Sequence, residues 1–272
     1  MKNVRIAAVA GMFYPASAKK LSDEIKLMLD LSKPDKKFEH INGIISPHAG
    51  YIYSGRTAAY AFNAVAEKNY KTVIIISPSH REYFPGISIY HGDAYETPLG
   101  IVPVNNEVRE KLIADSKLIF SGVLGHRAEH AVEVQIPFLQ VIMRDFSLVP
   151  IVMGDQNKVC VNELAEKLSN VMDEQTLVVA SSDLSHYYKK AEADRLDSVV
   201  EKRISNFDYE GLQADLETGK CEACGGGAIV AMMKAADMIK AKNSLVLSRS
   251  DSGDVSGDNS QVVGYLSAAV FN

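Results

Sequence analysis

The sequence has little cysteine, no long basic run and no long apolar run. Its three cysteines are an odd number in a chain of 272 residues, which does not suit a disulfide framework and favours a reducing compartment. No run of lysine and arginine exceeds two residues and the net charge is −5, so electrostatics give no support to binding of nucleic acid or of an anionic membrane. No segment approaches the roughly 18 apolar residues of a membrane span.

The start of the chain carries a short apolar stretch that is interrupted by Gly11 and Pro15. This stretch is too short and too soon broken for the apolar core of a signal peptide. Together with the sparse cysteine, it leads us to expect a cytoplasmic protein.

What the sequence does contain is an ordinary globular composition, 47% apolar and 23% charged. Apolar runs rich in β-branched residues alternate with amphipathic stretches, a pattern that predicts an α/β fold. We expect a single domain over residues 1–272, with a largely buried mixed or parallel sheet flanked by helices. The predicted strands are residues 41–46, 72–77, 147–152, 176–180, 244–247 and 262–271. The predicted helices are residues 56–67, 108–114, 159–172, 191–205 and 228–240, with one more capped by Ser17 and another that restarts at Pro137.

Three of the predicted strands end in motifs that contain a histidine. Residues 44–48 read IISPH, residues 75–80 read IISPSH, and residues 181–186 read SSDLSH. Proline removes a donor from the strand ladder, so each Ser-Pro pair predicts the point where the chain leaves the sheet. Ligands of open α/β sheets bind in the crevice outside the carboxyl ends of the strands. The motifs therefore predict a ligand-binding cleft at this edge.

His48 and His80 follow the two Ser-Pro pairs, and two imidazoles at adjacent strand ends could share a metal ion. Each could instead be a loop histidine that hydrogen-bonds the backbone. Cys224 precedes three glycines and an amphipathic helix. We therefore expect its thiol near a helix N-terminus, where the thiolate that binds metal is favoured. Cys224 could also be a buried apolar side chain, or form a CxxC redox pair with Cys221.

Asp183 and His186 are predicted to orient an imidazole and to move protons, as a carboxylate and a histidine can do together. Alternatively, Asp183 caps a helix. His130 lies one predicted helical turn from Glu133, so the two would share a face. His130 is then either a proton donor to the cleft or part of a polar helix face. His126 carries no companion signal and is expected at the surface or in a loop.

Several segments resemble motifs of the Memo family, in the same order along the chain. They read VAGMFYP, SPHAGYIYSG, SPSH, EHAVEVQIPFL, SSDLSHY, CGGGAI and SGDVSGDNSQVVGYLSAAVF. That family is similar in fold to the class III extradiol dioxygenases, and its prokaryotic members often occur in a three-component set with a radical-SAM protein. The resemblance implies that His48, His80 and Cys224 occupy metal-ligand positions and that Asp183 and His186 are polar cleft residues. It also implies a radical-SAM protein as a partner.

The cysteine is a departure from those dioxygenases, which complete a two-histidine iron site with a carboxylate. A thiolate is a softer and more strongly donating ligand, so it moves the preference of the site toward zinc, copper or a differently tuned iron. We expect one metal ion, iron or copper, with zinc as a further option. Extradiol ring cleavage is not expected, because a shared fold does not transmit a reaction.

Three functions remain open at this point. The first is a metal-dependent redox or oxygen-using enzyme that acts on an unknown small molecule or peptide. The second is a binding module without turnover, in which Tyr51, Tyr53 and Arg56 line the cleft and capture a peptide or a small anionic group. The third is a hydrolytic zinc enzyme, since two histidines, one cysteine and a water form a known catalytic zinc site.

Overall fold

A computed structural model describes residues 3–272 of the chain, and its main feature is a nine-stranded mixed sheet. The strands are β1 (Val4–Arg5), β2 (Ile41–Ser46), β3 (Thr72–Pro78), β4 (Ile87–Tyr90), β5 (Ala94–Thr97), β6 (Gly100–Pro103), β7 (Ile119–Gly122), β8 (Ser147–Met153), β9 (Thr176–Ser181), β10 (His186–Tyr188), β11 (Asn243–Asp251) and β12 (Val262–Phe271). The helices are α1 (Ala18–Leu31), α2 (Tyr51–Val65), α3 (Asn106–Ile113), α4 (Ile136–Ile142), α5 (Lys158–Ser169), α6 (Lys190–Ser205), α7 (Tyr209–Glu217), α8 (Gly226–Met238) and α9 (Gly253–Ser256), with a 3₁₀ turn at Glu133–Gln135.

The centre of the large sheet is parallel and its flanks are antiparallel. The strand order is β10-β12-β2-β9-β3-β8-β4-β7, and β11 also pairs with β12. Strands β2, β9, β3 and β8 run parallel, while β12 and β4 run antiparallel to β2 and β8. A separate three-stranded sheet has the order β1-β5-β6. The predicted α/β fold with a mixed sheet is confirmed.

The sheet is covered by helices on both faces. In β3, Val73 and Ile75 belong to one apolar cluster and Ile74 and Ile76 to the other, as the alternation of side chains along a strand requires. The first cluster contains residues of α1, α2 and α4, and the second contains residues of α5 and α8. Every residue of β2, β3 and β9 is buried. This double coverage explains why these strands read as nearly continuous apolar runs.

One predicted helix begins earlier than expected. Helix α2 starts at Tyr51, five residues before the predicted start at residue 56. Gly55, which would weaken an isolated helix, lies against α1, where an added Cβ would come within 2.5 Å of the Met28 sulfur. Close packing of the two helices therefore favours glycine there, despite its low helix propensity.

The short strands β4, β5, β6 and β7 and the helix α7 were not predicted. Each of these strands has only four residues, too few for a recognisable alternation of apolar and polar positions. Between residues 3 and 272, no helix is both long enough and apolar enough to cross a membrane.

Candidate metal centre

The candidate centre lies where three parallel strands end side by side. Strand β9 lies between β2 and β3, with Ser46 paired to Ser181 and Ile76 paired to Ala180. His48 and His80 follow the outer two strands. The prediction that their strands are adjacent was wrong, because β9 separates them. The two imidazole rings nevertheless meet, with centroids 5.0 Å apart.

Hydrogen bonding determines which nitrogen of His48 faces the centre. The His48 Nδ1 atom lies 2.9 Å from the Ser181 hydroxyl oxygen. Ser181 has one hydroxyl proton and donates it to the Ala131 carbonyl at 2.8 Å. The hydroxyl oxygen must therefore accept from His48, which places the ring proton on Nδ1 and leaves Nε2 with a lone pair. This Nε2 atom lies 3.2 Å from the Cys224 sulfur.

His48 is also held in its neutral form. Its side chain is 1% exposed, and this burial lowers its pKa well below the ordinary range, with a further contribution from nearby His80. A neutral imidazole is the form that binds a metal ion.

His80 is oriented in the same way by a carboxylate. The Glu129 side chain accepts a hydrogen bond from His80 Nδ1 at 2.9 Å and another from the His80 backbone N–H at 2.6 Å. A carboxylate can only accept, so His80 Nδ1 carries a proton, and in the neutral ring Nε2 is the nitrogen with the lone pair. Burial by itself would raise the pKa of Glu129, but hydrogen bonds from His80 and from the backbone of Ala131 outweigh it and lower the pKa to about 2.

Cys224 lies directly before Gly225, which caps the N-terminus of α8, so the predicted place of the thiol is confirmed. The sulfur accepts a hydrogen bond from the Asp183 backbone N–H at 3.3 Å. The expectation of a stable thiolate was wrong for the protein without metal. Burial raises the pKa of the Cys224 thiol, and the nearby Asp183 carboxyl raises it further. A bound cation would reverse this preference, because a coordinating thiol loses its proton.

The three donor groups fit a single metal ion. One ligand atom from each of His48, His80 and Cys224 lies within 4.8 Å of the other two. Donor atoms around a common tetrahedral ion lie roughly 3.3–3.6 Å apart, so a small movement would bring the set into bonding range. His80 is the more exposed of the two imidazoles, at 27% against 1% for His48. Cys221 and Cys224 are both free thiols here, Cys221 buried and Cys224 partly exposed, and the CxxC redox pair stays an untested alternative.

Asp183 ties two of the donor residues together. Its carboxylate accepts from the His48 backbone N–H at 2.7 Å, and its carbonyl accepts from the Cys224 backbone N–H at 3.2 Å. Burial raises the pKa of this carboxyl. The helix-cap alternative for Asp183 was wrong, because the chain continues from it into strand β10. His186 is the first residue of β10 and pairs with Val263 of β12.

His130 lies against both candidate histidine ligands. Its ring centroid is 5.4 Å from that of His48 and 4.7 Å from that of His80. Burial and the neighbouring His48 lower the pKa of His130 to about 4. The predicted pairing with Glu133 on a helix face was wrong, since His130 precedes the 3₁₀ turn. Glu133 points away and bonds Arg5 and the backbone N–H groups of Ala8 and Val9.

Comparison with known proteins places this chain in a family. A family model described as "Memo-like protein" matches residues 5–269. The chain belongs to the Memo family. A MEMO1 family protein of Thermoplasma volcanium is 39% identical over 265 residues, which cover 97% of each chain. Another from Thermotoga petrophila is 37% identical over 279 residues, which cover 98% of this chain and 99% of the relative.

One similar solved structure shows the fold of this Memo chain. It is the crystal structure of an uncharacterized protein from Escherichia coli K12, which covers 85% of this chain and 100% of its own with a TM-score of 0.54. The sequences are 11% identical, so the likeness concerns the α/β architecture alone.

Among the residues predicted to bind substrate, Tyr51 does not line a cleft in this Memo protein. Its side chain is 5% exposed, its ring packs on Tyr14 and Phe138, and its hydroxyl donates to the Val134 carbonyl at 2.7 Å. The prediction was wrong because α2 turns its first residue into the core. Tyr53 and Arg56 are exposed on the same helix, and their role stays a prediction.

Sequence reasoning missed Glu129 and misjudged His126. Glu129 lies beside His130 in the sequence, but only the fold brings its carboxylate to His80. His126 lies in the loop after β7, which was one of the two expected places, but it is 1% exposed rather than at the surface, and it is held between the Tyr95 hydroxyl and the Ser88 carbonyl. The EHAVEVQIPFL motif, which includes Glu129, is the one signal in the sequence that could have drawn attention to this carboxylate.

Proposed function

We propose that His48, His80 and Cys224 bind one metal ion and that the chain is a metal-dependent oxidoreductase. The observation that carries the proposal is the convergence of two imidazoles, both with Nε2 free, and one thiol on a common point. His48 and Cys224 are held by hydrogen bonds with the segment of residues 181–183, and His80 is held by Glu129. Such support of ligands by a surrounding shell is typical of built metal sites.

The donor set suits iron, copper or zinc, and the proposed oxidoreductase requires iron or copper. Imidazole suits iron, copper and zinc, and a thiolate adds a soft, strongly donating ligand. An iron or copper ion with three protein ligands would supply one-electron chemistry and an open position for substrate or oxygen. Zinc is the alternative, and a zinc-loaded protein would direct attention to hydrolysis instead.

The chain's own residues then have separable roles. Ser181 and Glu129 hold the proton of each candidate ligand on Nδ1, so that both Nε2 atoms face the metal position. Asp183 sets the distance between the His48 and Cys224 segments. His130 lies against both ligand rings and can carry a proton to or from the site. His186, which lines the cavity next to Cys224, is a second candidate proton carrier.

The first test is the metal content of protein purified without added metal. We expect about one iron or copper ion per chain in the wild type, and less than about a tenth of that in His48→Ala and in Cys224→Ser. Cys160→Ser and His91→Ala are matched controls. Cys160 is buried in α5 and His91 is exposed, and neither contacts the centre. Equal metal content in all five proteins, measured by elemental analysis, would contradict the proposed site.

The second test is oxygen use. Protein loaded with iron or with copper under anaerobic conditions is exposed to oxygen, and oxygen consumption and peroxide release are recorded. We expect a signal in the wild type that His80→Ala abolishes. If both proteins give the same signal, the redox activity is refuted.

A binding module without turnover is the competing outcome. It predicts that a peptide or other ligand binds with the same affinity to wild type, His48→Ala and Cys224→Ser after metal removal. The buried position of Tyr51 removes one of the three residues on which that alternative depends. Cytoplasmic location and a radical-SAM partner remain parts of the proposal that co-purification from cells would test.

A further inference from the structure

A cavity next to Cys224 has the size of a small-molecule site. It has a volume of about 410 Å³ and lies between α5, α7, α8 and the segment that carries Cys224. Small-molecule pockets are roughly 300–1,000 Å³ and mostly apolar. We call this cavity the Cys224 pocket. Cys224 is part of its wall and His48 and His80 are not, so a molecule bound there would approach the candidate metal position from the Cys224 side.

The pocket has apolar walls. Val161, Leu184, Leu216 and Val230 line it, and three of these four are almost completely buried in the folded chain. Gln156, a polar wall residue, has both ends of its amide engaged, because the amide N–H donates to the Cys224 carbonyl and the amide oxygen accepts from the Gly227 N–H, both at 2.8 Å. The walls therefore favour an aliphatic or otherwise apolar body.

The charge of the pocket is negative. Among the described residues that line it, Glu217 and Glu222 are the acidic ones, His186 is the one histidine, and none is lysine or arginine. Glu222 accepts a hydrogen bond from the Tyr188 hydroxyl at 2.6 Å, and within residues 3–272 it forms no ion pair. The nearby cations Arg203 and Lys220 are already paired with Asp215, at 2.8 and 3.2 Å.

Glu217 and Glu222 differ in how far nearby lysines offset their negative charge. Glu217 and Gln213 also line a smaller adjoining cavity that contains Lys158 and Lys234, so part of the Glu217 charge is offset there. Glu222 does not line that cavity. It is therefore the carboxylate most available to a ligand.

We propose that the Cys224 pocket binds the substrate of this protein, and that this substrate is an amine with an apolar body and a cationic head that lies at Glu222. The proposal rests on the proposed function, since it assigns the substrate class of the same centre. It disfavours anionic substrates, for which the pocket offers repulsion and no lysine or arginine among the described lining residues.

The test uses three probes of equal chain length: n-hexylammonium, n-hexanol and n-hexanoate. Calorimetric titration at low ionic strength should give the order ammonium, then alcohol, then carboxylate. Glu222→Gln keeps the size and the acceptor for Tyr188 but removes the charge. It should weaken hexylammonium about three- to fivefold, as expected for a partly exposed ion pair, and leave hexanol unchanged. Glu96→Gln removes the same charge from an exposed position on β5 and should change neither affinity.

A second pair of variants tests the location. Leu216→Trp should fill the pocket and abolish binding of all three probes, whereas Leu216→Met, of similar volume, should retain it. Hexanoate that binds as tightly as hexylammonium would overturn the proposal. So would a Glu222→Gln protein with unchanged preference, or a folded Leu216→Trp protein with unchanged affinity.

Titrations with metal-free and metal-loaded protein separate this proposal from the metal centre. Charge-selective binding in a protein that never acquires metal would refute the oxidoreductase and leave the pocket assignment standing. A metal-loaded protein that binds none of the probes would refute the pocket assignment and leave the metal centre standing.

Discussion

At the scale of single residues, the candidate centre depends on which group accepts the Nδ1 proton of each imidazole. The hydroxyl of Ser181 and the carboxylate of Glu129 both accept from an imidazole Nδ1, and each is itself fixed by further bonds. Glu129 also accepts from the backbone N–H groups of His130 and Ala131, at 2.9 and 3.0 Å. The imidazoles are thus presented to the metal position before any ion arrives.

Replacing Glu129 should therefore weaken metal binding without removing a ligand. In Glu129→Gln only one end of the side chain can accept a hydrogen bond, whereas the Glu129 carboxylate accepts from both the backbone N–H and the Nδ1 of His80. We therefore expect the His80 ring to lose its fixed orientation. We expect metal affinity to fall about 10- to 100-fold, as measured by competition with a chelator of known affinity. Glu133→Gln is the control, since Glu133 is equally buried but bonds Arg5 and Tyr14. It should lower the free energy of unfolding and leave the metal affinity of the folded protein unchanged.

At the scale of elements, the centre depends on how closely helix α8 approaches strand β9. Gly225 caps α8, and an added Cβ there would lie 2.2 Å from the Ser181 carbonyl oxygen. The Ser181 carbonyl is part of the backbone of β9 and cannot easily move to relieve such a short contact. Only glycine at position 225 therefore allows the Cys224 segment to reach the end of β9. Gly50 caps α2 in a similar place beside His48, but its nearest neighbour would be 3.6 Å away.

This difference gives a matched pair of substitutions. Gly225→Ala should push Cys224 away from His48, and metal content should fall by at least about tenfold because a ligand is displaced. Gly50→Ala should leave metal content nearly unchanged. Both can be measured by elemental analysis, with circular dichroism to show that the proteins are folded. Similar losses from the two variants would contradict the packing argument.

At the scale of the whole molecule, buried neutral histidines link stability to pH. Burial lowers the pKa of His126 to about 3, whereas an unfolded chain has a histidine pKa of about 6.5. Above pH 6.5 this group is neutral in both states, and its contribution to stability is complete. As the pH falls below 6.5, His126 becomes protonated in the unfolded chain but stays neutral in the folded chain. The free energy of unfolding therefore decreases.

We therefore expect the free energy of unfolding of metal-free protein to depend less steeply on pH in His126→Gln. The wild type should lose about 1.4 kcal/mol more per pH unit than the variant between pH 6 and pH 4. Urea denaturation at several pH values measures this. Asp197, whose pKa burial raises to about 6, acts in the opposite direction but equally in both proteins. If the free energy of unfolding changed with pH by the same amount in the two proteins, the stated pKa shift of His126 would be contradicted.

The sequence by itself determined the α/β class and most of the sheet. The strands β2 and β12 have the predicted bounds, and β3, β8 and β9 differ by one residue. A β-branched apolar run that ends in Ser-Pro carries its own start and stop signals, so neighbours in the sequence suffice. The positions of His48, His80 and Asp183 just after strand ends follow from the same local signals.

Only the tertiary structure decided which groups meet and in what chemical form. His48 and Cys224 are separated by 176 residues, and His80 and Glu129 by 49. Their contacts depend on strand order and on the packing of α8, which no local pattern encodes. The pKa of Cys224 and the burial of Tyr51 were misjudged for the same reason. Both depend on how much of the folded chain surrounds the side chain, and burial is a property of the assembled layers rather than of any one segment.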